Sequence, residues 1–277
     1  MKRLFIIAVV LIFMLTAVVF SKSNENEDLR AKIDFVIKKS IDKNAIPGIA
    51  VAVIKENDLI YSKGFGEGNK GKITDHTPLY IGSISKSFTA LGIMQLVEEG
   101  KINLDDPVKK YIPFFEVENN GFEGVITVRH LLNHRSGLTE DEYISNIPSD
   151  SSIEDGVRDL VGTKLSFKPG EVYRYFNPNY NTLALIIENV TNISYENYIR
   201  ENILNPLNMN DTYLNEEIIN KKVGKGYGAF FSFPIKRDEE FKKYSLPSGY
   251  IVSTASDMSK YLIFQLNGNY NGKELIS

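Results

Sequence analysis

The sequence predicts an α+β fold. Two apolar strand segments flank a polar turn near the front of the chain, and helical apolar spacings fill the middle and return at the back. The first helix spans 28–44, with Leu29, Ile33, Val36, Ile37 and Ile41 as its apolar positions. Ile49-Ala50-Val51-Ala52-Val53-Ile54 and Leu59-Ile60-Tyr61-Ser62 then read as a β-hairpin around Lys55-Glu56-Asn57-Asp58. After the breakers Thr77-Pro78 and Gly82, the residues Phe88, Leu91, Met94 and Val97 recur at near-helical spacing until Gly100 supplies a stop.

Further along, Asn103-Leu104-Asp105-Asp106-Pro107 opens a short helix ending near Tyr111-Ile112-Pro113. Another short helix, 128–134, is stopped by Arg135-Ser136-Gly137, and longer ones are expected at 180–190, 194–203 and 254–266. An isolated hairpin is not stable alone, so it needs further strands or a covering layer of helices. The helices cover it only in part, which predicts either strands beyond Ser277 or a reduced architecture.

The first residues predict a separate segment, 1–22. Lys2-Arg3 precedes an apolar run from Leu4 to Phe20, broken only by Thr16, and the polar Ser21-Lys22-Ser23-Asn24-Glu25 follows. This is the pattern of a signal peptide or an uncleaved membrane anchor; Val19 and Ser21 make a mediocre small-x-small cleavage site. In either form the remainder, 28–277, is expected to work outside the cytoplasm, secreted or anchored to the cell membrane.

Composition narrows the chemistry. A formal net charge of -3 with no basic block gives no footprint for nucleic acid. The absence of cysteine excludes disulfides, thiolate catalysis and Cys-based zinc sites. Only His76, His130 and His134 are present and no His-Glu-x-x-His pattern occurs, so no metal or other cofactor is expected.

Two short motifs carry chemistry. In Gly82-Ser83-Ile84-Ser85-Lys86 a serine and a lysine stand three residues apart at a helix start, where both fall on one face. A serine hydroxyl needs a neighbour to take its proton before it attacks an acyl carbon, and Lys86 is placed to do so. The alternative is that Ser83 is an N-cap and Lys86 a first-turn surface charge. A second copy, Ser40-Ile41-Asp42-Lys43, falls within the first amphipathic helix and reads as solvated surface.

The other motif is Tyr175-Phe176-Asn177, on a loop bracketed by Pro169, Gly170 and Pro178. A tyrosine beside an ammonium gives up its proton more readily and suits a general base, and an asparagine offers a donor and an acceptor to a substrate amide. Two further copies, at Tyr195-Glu196-Asn197 and Tyr213-Leu214-Asn215, read as structural.

The chain resembles the serine beta-lactamase and penicillin-binding protein superfamily, in its class C-like, D-alanyl-D-alanine carboxypeptidase and esterase branch. The resemblance runs from about Asp28 to the end. It rests on the ordered set Ile46-Pro47-Gly48, Gly82-Ser83-Ile84-Ser85-Lys86, His130-Leu131-Leu132-Asn133-His134-Arg135-Ser136-Gly137-Leu138, Phe167-Lys168-Pro169-Gly170, Tyr175-Phe176-Asn177, Asn205-Pro206-Leu207-Asn208-Met209 and Ser253-Thr254-Ala255-Ser256-Asp257-Met258.

The resemblance implies an antiparallel sheet flanked by helices, an α/β sandwich, with a mainly helical subdomain. It implies an acyl-enzyme mechanism in which Ser83 attacks an amide, ester or beta-lactam carbonyl while Lys86 and Tyr175 relay its proton. Asn177 then orients the substrate, and the Ser83 backbone N–H supplies half of an oxyanion hole. His130 and His134 are expected to share a helix face in a structural role.

The substrates implied are D-amino-acid peptides of the cell wall, beta-lactams or small esters. The family's third element, Lys-Thr-Gly or His-x-Gly on a late strand, does not follow Asn177; Lys222-Val223-Gly224 is nearest but falls in the wrong order. A chain that lacks the C-terminal strands is therefore expected, and with it the alternative of an inactive remnant or a surface-anchored substrate-binding module.

Overall fold

The computed structural model describes residues 27–68, 70–223, 226–230, 233–237 and 240–276. The expected leader segment, 1–22, lies outside these, as do Gly224 and Ser277. No helix among the described residues is long and apolar enough to cross a membrane.

Helix α1 (27–44) leads into strands β1 (Gly48–Lys55) and β2 (Asp58–Gly68). They pair antiparallel from Gly48 opposite Gly66 to Lys55 opposite Asp58, with a register irregularity between Val53 and Ile54. Strand β3 (Gly71–Lys72) adds to β2, so the sheet order is β1-β2-β3. Gly64 permits this return of the chain: a Cβ there would lie 2.2 Å from the Ile73 carbonyl oxygen. Asp34 of α1 accepts hydrogen bonds from Tyr61 and, at 2.6 Å, from Lys63, which fastens the helix to β2.

Strand β4 (Leu79–Tyr80) and a 3₁₀ turn at Gly82–Ile84 precede helix α2 (Ser85–Glu98). Short helices α3 (Val108–Tyr111), α4 (Val128–Leu132) and α5 (Ile153–Arg158) follow, then α6 (Pro178–Thr191) and α7 (Tyr195–Ile199), which runs on into a π turn at Arg200–Leu204. Helix α8 (Glu216–Lys222), the hairpin β5 (Gly226–Phe230) and β6 (Phe233–Arg237), strand β7 (Val252–Ser253), helix α9 (Ala255–Asn267) and the small hairpin β8 (Asn269–Tyr270) and β9 (Lys273–Glu274) complete the order.

Helices α2 and α6 form the centre of the core. In α6 every residue from Asn179 to Ile187 is buried, and α2 buries residues on most of its circumference, as interior helices do. Gly92 lets them approach: a Cβ there would stand 3.1 Å from both Ile187 and Tyr198. Phe88 of α2 stacks on Tyr261 of α9, centroids 4.1 Å apart, and α9 also lies against the β1–β2 hairpin, so one helix joins sheet and helical core.

The expected long helices are present within a residue or two, and so is the hairpin except that its second strand runs on to Gly68, six residues past the expected Ser62. The hairpins β5–β6 and β8–β9, the short strands β3, β4 and β7, and helices α5 and α8 have no counterpart in the pattern that the sequence predicts. The two helices are short and set by capping: Ser152 with Asp155 forms a reciprocal box, and Asn215 accepts from the Ile218 N–H.

Candidate active site

The nucleophile turn is fixed from both sides. Gly82 takes φ +55°, a left-handed conformation that glycine adopts without strain, and reverses the chain into the 3₁₀ turn. Before it, β4 pairs with β7, Leu79 opposite Ser253 and Tyr80 opposite Val252. The Ile81 N–H bonds the Ile251 carbonyl at 3.0 Å, and the Ile251 N–H bonds Ser85 Oγ at 3.2 Å. Ser83 is thereby held exposed, and its hydroxyl meets the Tyr175 hydroxyl at 2.6 Å. It does not cap α2: the residue at that position is Ile84, with no side-chain cap.

Lys86 is 5% exposed, on the second residue of α2. Its ammonium donates to Asn177 Oδ1 at 2.8 Å, to the backbone carbonyl of Ser248 and, more weakly, to Ser83 Oγ at 3.4 Å. It also stands 4.8 Å from the Tyr175 ring centroid. Burial pushes the Lys86 pKa down, opposed in part by Tyr175. A surface lysine would titrate normally; one enclosed in this way yields the neutral amine at lower pH.

The Tyr175–Asn177 loop is clamped by the residues after α4. The Arg174 N–H donates to the His134 carbonyl at 2.8 Å, and the Phe176 N–H donates to His134 Nδ1 at 3.2 Å. Gly170 N–H bonds the Arg135 carbonyl at 2.8 Å, and the Arg135 guanidinium returns to the carbonyls of Gly170 and Glu171 at 3.2 and 3.0 Å. Phe176 is fully buried as the loop's anchor, and Pro178 starts α6 immediately after Asn177.

His134 takes φ +53° beyond the end of α4, so it does not share a helix face with His130 as the periodicity suggests. Its ring lies 4.5 Å from that of Tyr175. Burial first, then the Lys86 charge, push its pKa down to about 4, which keeps the imidazole neutral and Nδ1 free to accept. His130 instead caps α4, taking the Thr127 N–H at 3.3 Å.

All four expected site residues, Ser83, Lys86, Tyr175 and Asn177, therefore converge. Of the decoy motifs, Tyr195 is buried against Thr89 at 2.7 Å, Tyr213 receives Lys222 at 2.9 Å, and Ser40 and Lys43 are exposed on α1. The sequence reading missed Ser248, because a backbone carbonyl acceptor has no side-chain signature; its signal is the Leu246-Pro247-Ser248-Gly249-Tyr250 turn, which forms a π-type turn beside α2.

A cleft of about 560 Å³ opens at Ser83, walled by Tyr143, Asn177, Asn181, Tyr244 and Tyr250. A second cleft of about 570 Å³, between the first hairpin and Lys222, holds Lys72, His76 and Tyr80 and does not reach Ser83. No group of three or more His, Asp or Glu side chains among the described residues could hold a metal.

The Beta-lactamase family model matches residues 33–276, and the chain belongs to that family. Its architecture is the β-lactamase/transpeptidase-like α+β fold. It is 34% identical over 257 residues to Protein flp of Staphylococcus aureus strain MW2, covering 90% of this chain and 51% of that protein. The penicillin-binding protein homologue of Pyrococcus abyssi, an octamer, superposes with TM-score 0.74 at 32% identity, covering 89% of this chain and 58% of that one. FmtA of Staphylococcus aureus gives 0.69 at 29%, covering 82% and 63%. The chain thus spans about half the length of the curated relatives it matches.

Proposed function

We propose that this chain is a serine hydrolase acylated at Ser83. The observation that carries this is the placement of Lys86. A neutral lysine amine has two N–H bonds and one lone pair. Asn177 Oδ1 and the Ser248 carbonyl accept the two N–H bonds, which leaves the lone pair for Ser83 Oγ, 3.4 Å away. Tyr175, 2.6 Å from the same oxygen, completes a relay.

In the reaction the Ser83 oxygen attacks an acyl carbonyl as its proton passes to Lys86 or Tyr175. The Ser83 N–H stabilises the developing oxyanion. Collapse of the tetrahedral species expels the leaving group, which takes the proton from the tyrosine–lysine pair. Water, deprotonated by the same pair, then attacks the Ser83 ester, and the departing Ser83 oxygen takes that proton back from the pair as the acid is released. Only side chains and water take part.

The finer reading is a class C-like enzyme working outside the cytoplasm, either secreted or held at the membrane by segment 1–22, on D-amino-acid peptides, beta-lactams or small esters. The Pyrococcus relative, a penicillin-binding protein homologue, supports this substrate class. Fluorescent penicillin and a fluorophosphonate, each incubated with the full chain and with Ser83→Ala, test it. Labelling that disappears in Ser83→Ala supports the hydrolase; reversible binding of penicillin with no covalent label supports the substrate-binding module instead.

A further inference from the structure

Asn181 follows Asn177 by one turn of α6, so the two side chains share a face of the helix. Asn181 lines the cleft that holds Ser83. It is 2% exposed, and its carboxamide oxygen is buried without a hydrogen-bond partner among the described residues. Interiors seldom leave such an acceptor unpaired, because the cost of removing it from water is then uncompensated.

Three other polar side chains of the cleft are committed elsewhere. Asn177 Oδ1 receives Lys86 at 2.8 Å, the Tyr143 hydroxyl donates to Asp159 at 2.7 Å, and the Ser248 hydroxyl donates to the Ser245 carbonyl at 3.0 Å. Asn179 on the same helix also has an unpaired carboxamide oxygen, but its amide nitrogen turns toward His134 at 3.4 Å and it does not line the cleft. Ser145 Oγ, also on the cleft wall, is buried without a partner too, but a hydroxyl can donate as well as accept; among the described residues the unpaired carboxamide oxygen on a cleft-lining residue is that of Asn181, and the donor it lacks is one that the cleft's occupant can bring.

We infer that Asn181 determines specificity: its carboxamide oxygen accepts a hydrogen bond from an N–H of the acyl donor seated over Ser83. The cleft then selects acyl donors that carry an amide beside the reacting carbonyl over isosteres with an ester oxygen in its place. An ester oxygen there has no proton to give and leaves the Asn181 oxygen unpaired in the complex. Recognition sites built to receive a hydrogen bond reject the analogue lacking it far more strongly than apolar pockets reject a missing methylene. The inference rests on Ser83 being the acylated residue, and its test separates the two.

The probes are two thioesters that differ at one atom, an N-acetylglycyl thioester and the matching acetoxyacetyl thioester, in which oxygen replaces N–H. Acylation rates are read by intact mass on the full chain, with a fluorophosphonate on the wild type as an independent report on Ser83. The wild type is expected to acylate about tenfold or more faster with the amide probe. In Asn181→Leu the ratio should fall to about one, and in Asn181→Asp, which keeps both shape and acceptor, the preference should persist. A wild-type ratio near one, or an unchanged ratio in an Asn181→Leu protein shown folded by circular dichroism, overturns the inference. Failure of the fluorophosphonate to label wild-type Ser83 overturns the nucleophile itself and this inference with it.

Discussion

The hydroxyl of Tyr175 stands 2.6 Å from that of Ser83, although the two residues are 92 positions apart. The contact exists because two independent scaffolds meet: the 3₁₀ turn that β4 and β7 hold, and the loop that His134 and Arg135 clamp. The Tyr175 ring lies against both His134 and the Lys86 ammonium, at 4.5 and 4.8 Å from its centre. Its hydroxyl is therefore delivered to one place although the side chain is 43% exposed.

Tyr175→Phe keeps the ring contacts and deletes only the oxygen. General acid–base catalysis contributes about 10² to 10⁴ in rate, and a loss in that range is expected for acylation, with the melting temperature little changed. Second-order acylation rates with fluorescent penicillin measure it. A Tyr175→Phe rate within threefold of wild type would mean that Lys86 alone receives the Ser83 proton.

Acylation should increase with pH as Lys86 becomes neutral, and do so below the ordinary lysine value of 10.5, since burial lowers its pKa. Lys86→Arg stays charged throughout and should lose this limb of the profile along with most of the rate. A profile of the same shape in Lys86→Arg would assign the limb to another group.

His134 makes stability depend on pH. Its folded pKa of about 4 lies below the usual 6.5, so between these values the unfolded chain binds a proton that the native state refuses. Stability is full above pH 6.5 and falls on acidification toward pH 4, by up to about 3 kcal/mol. Urea midpoints at pH 7 and 4.5 read the slope, which His134→Gln should largely remove. Equal slopes in the two proteins would place the acid sensitivity elsewhere.

Gly137 sits at φ +86°, and a Cβ there would lie 2.2 Å from the Phe167 carbonyl oxygen. Gly137→Ala must strain its own backbone and displace the segment that leads into the Tyr175 loop. A loss of about 2 kcal/mol or more is expected, together with slower acylation. Denaturant unfolding and labelling, measured side by side, check both.

Much of the site was legible because its residues sit at punctuation marks. Ser83 follows a glycine at a helix start, and Asn177 precedes the proline that begins α6. What escaped has no local pattern. Leu79 pairs with Ser253 across the whole helical region, and two-residue strands carry no periodicity. Asn181 looks in the sequence like any polar residue of a helix, and only its burial at the cleft without a partner marks it out. His134 breaks the expected face because α4 ends at Leu132 and the chain turns left-handed two residues on.

Everything proposed for the site depends on Ser83 forming the acyl bond. Peptide mass mapping of the full chain after brief reaction with penicillin tests it most directly. One adduct is expected, on the peptide containing Ser83, absent from Ser83→Ala and strongly reduced in Lys86→Arg. An adduct on any other residue, or one that survives in Ser83→Ala, would contradict it.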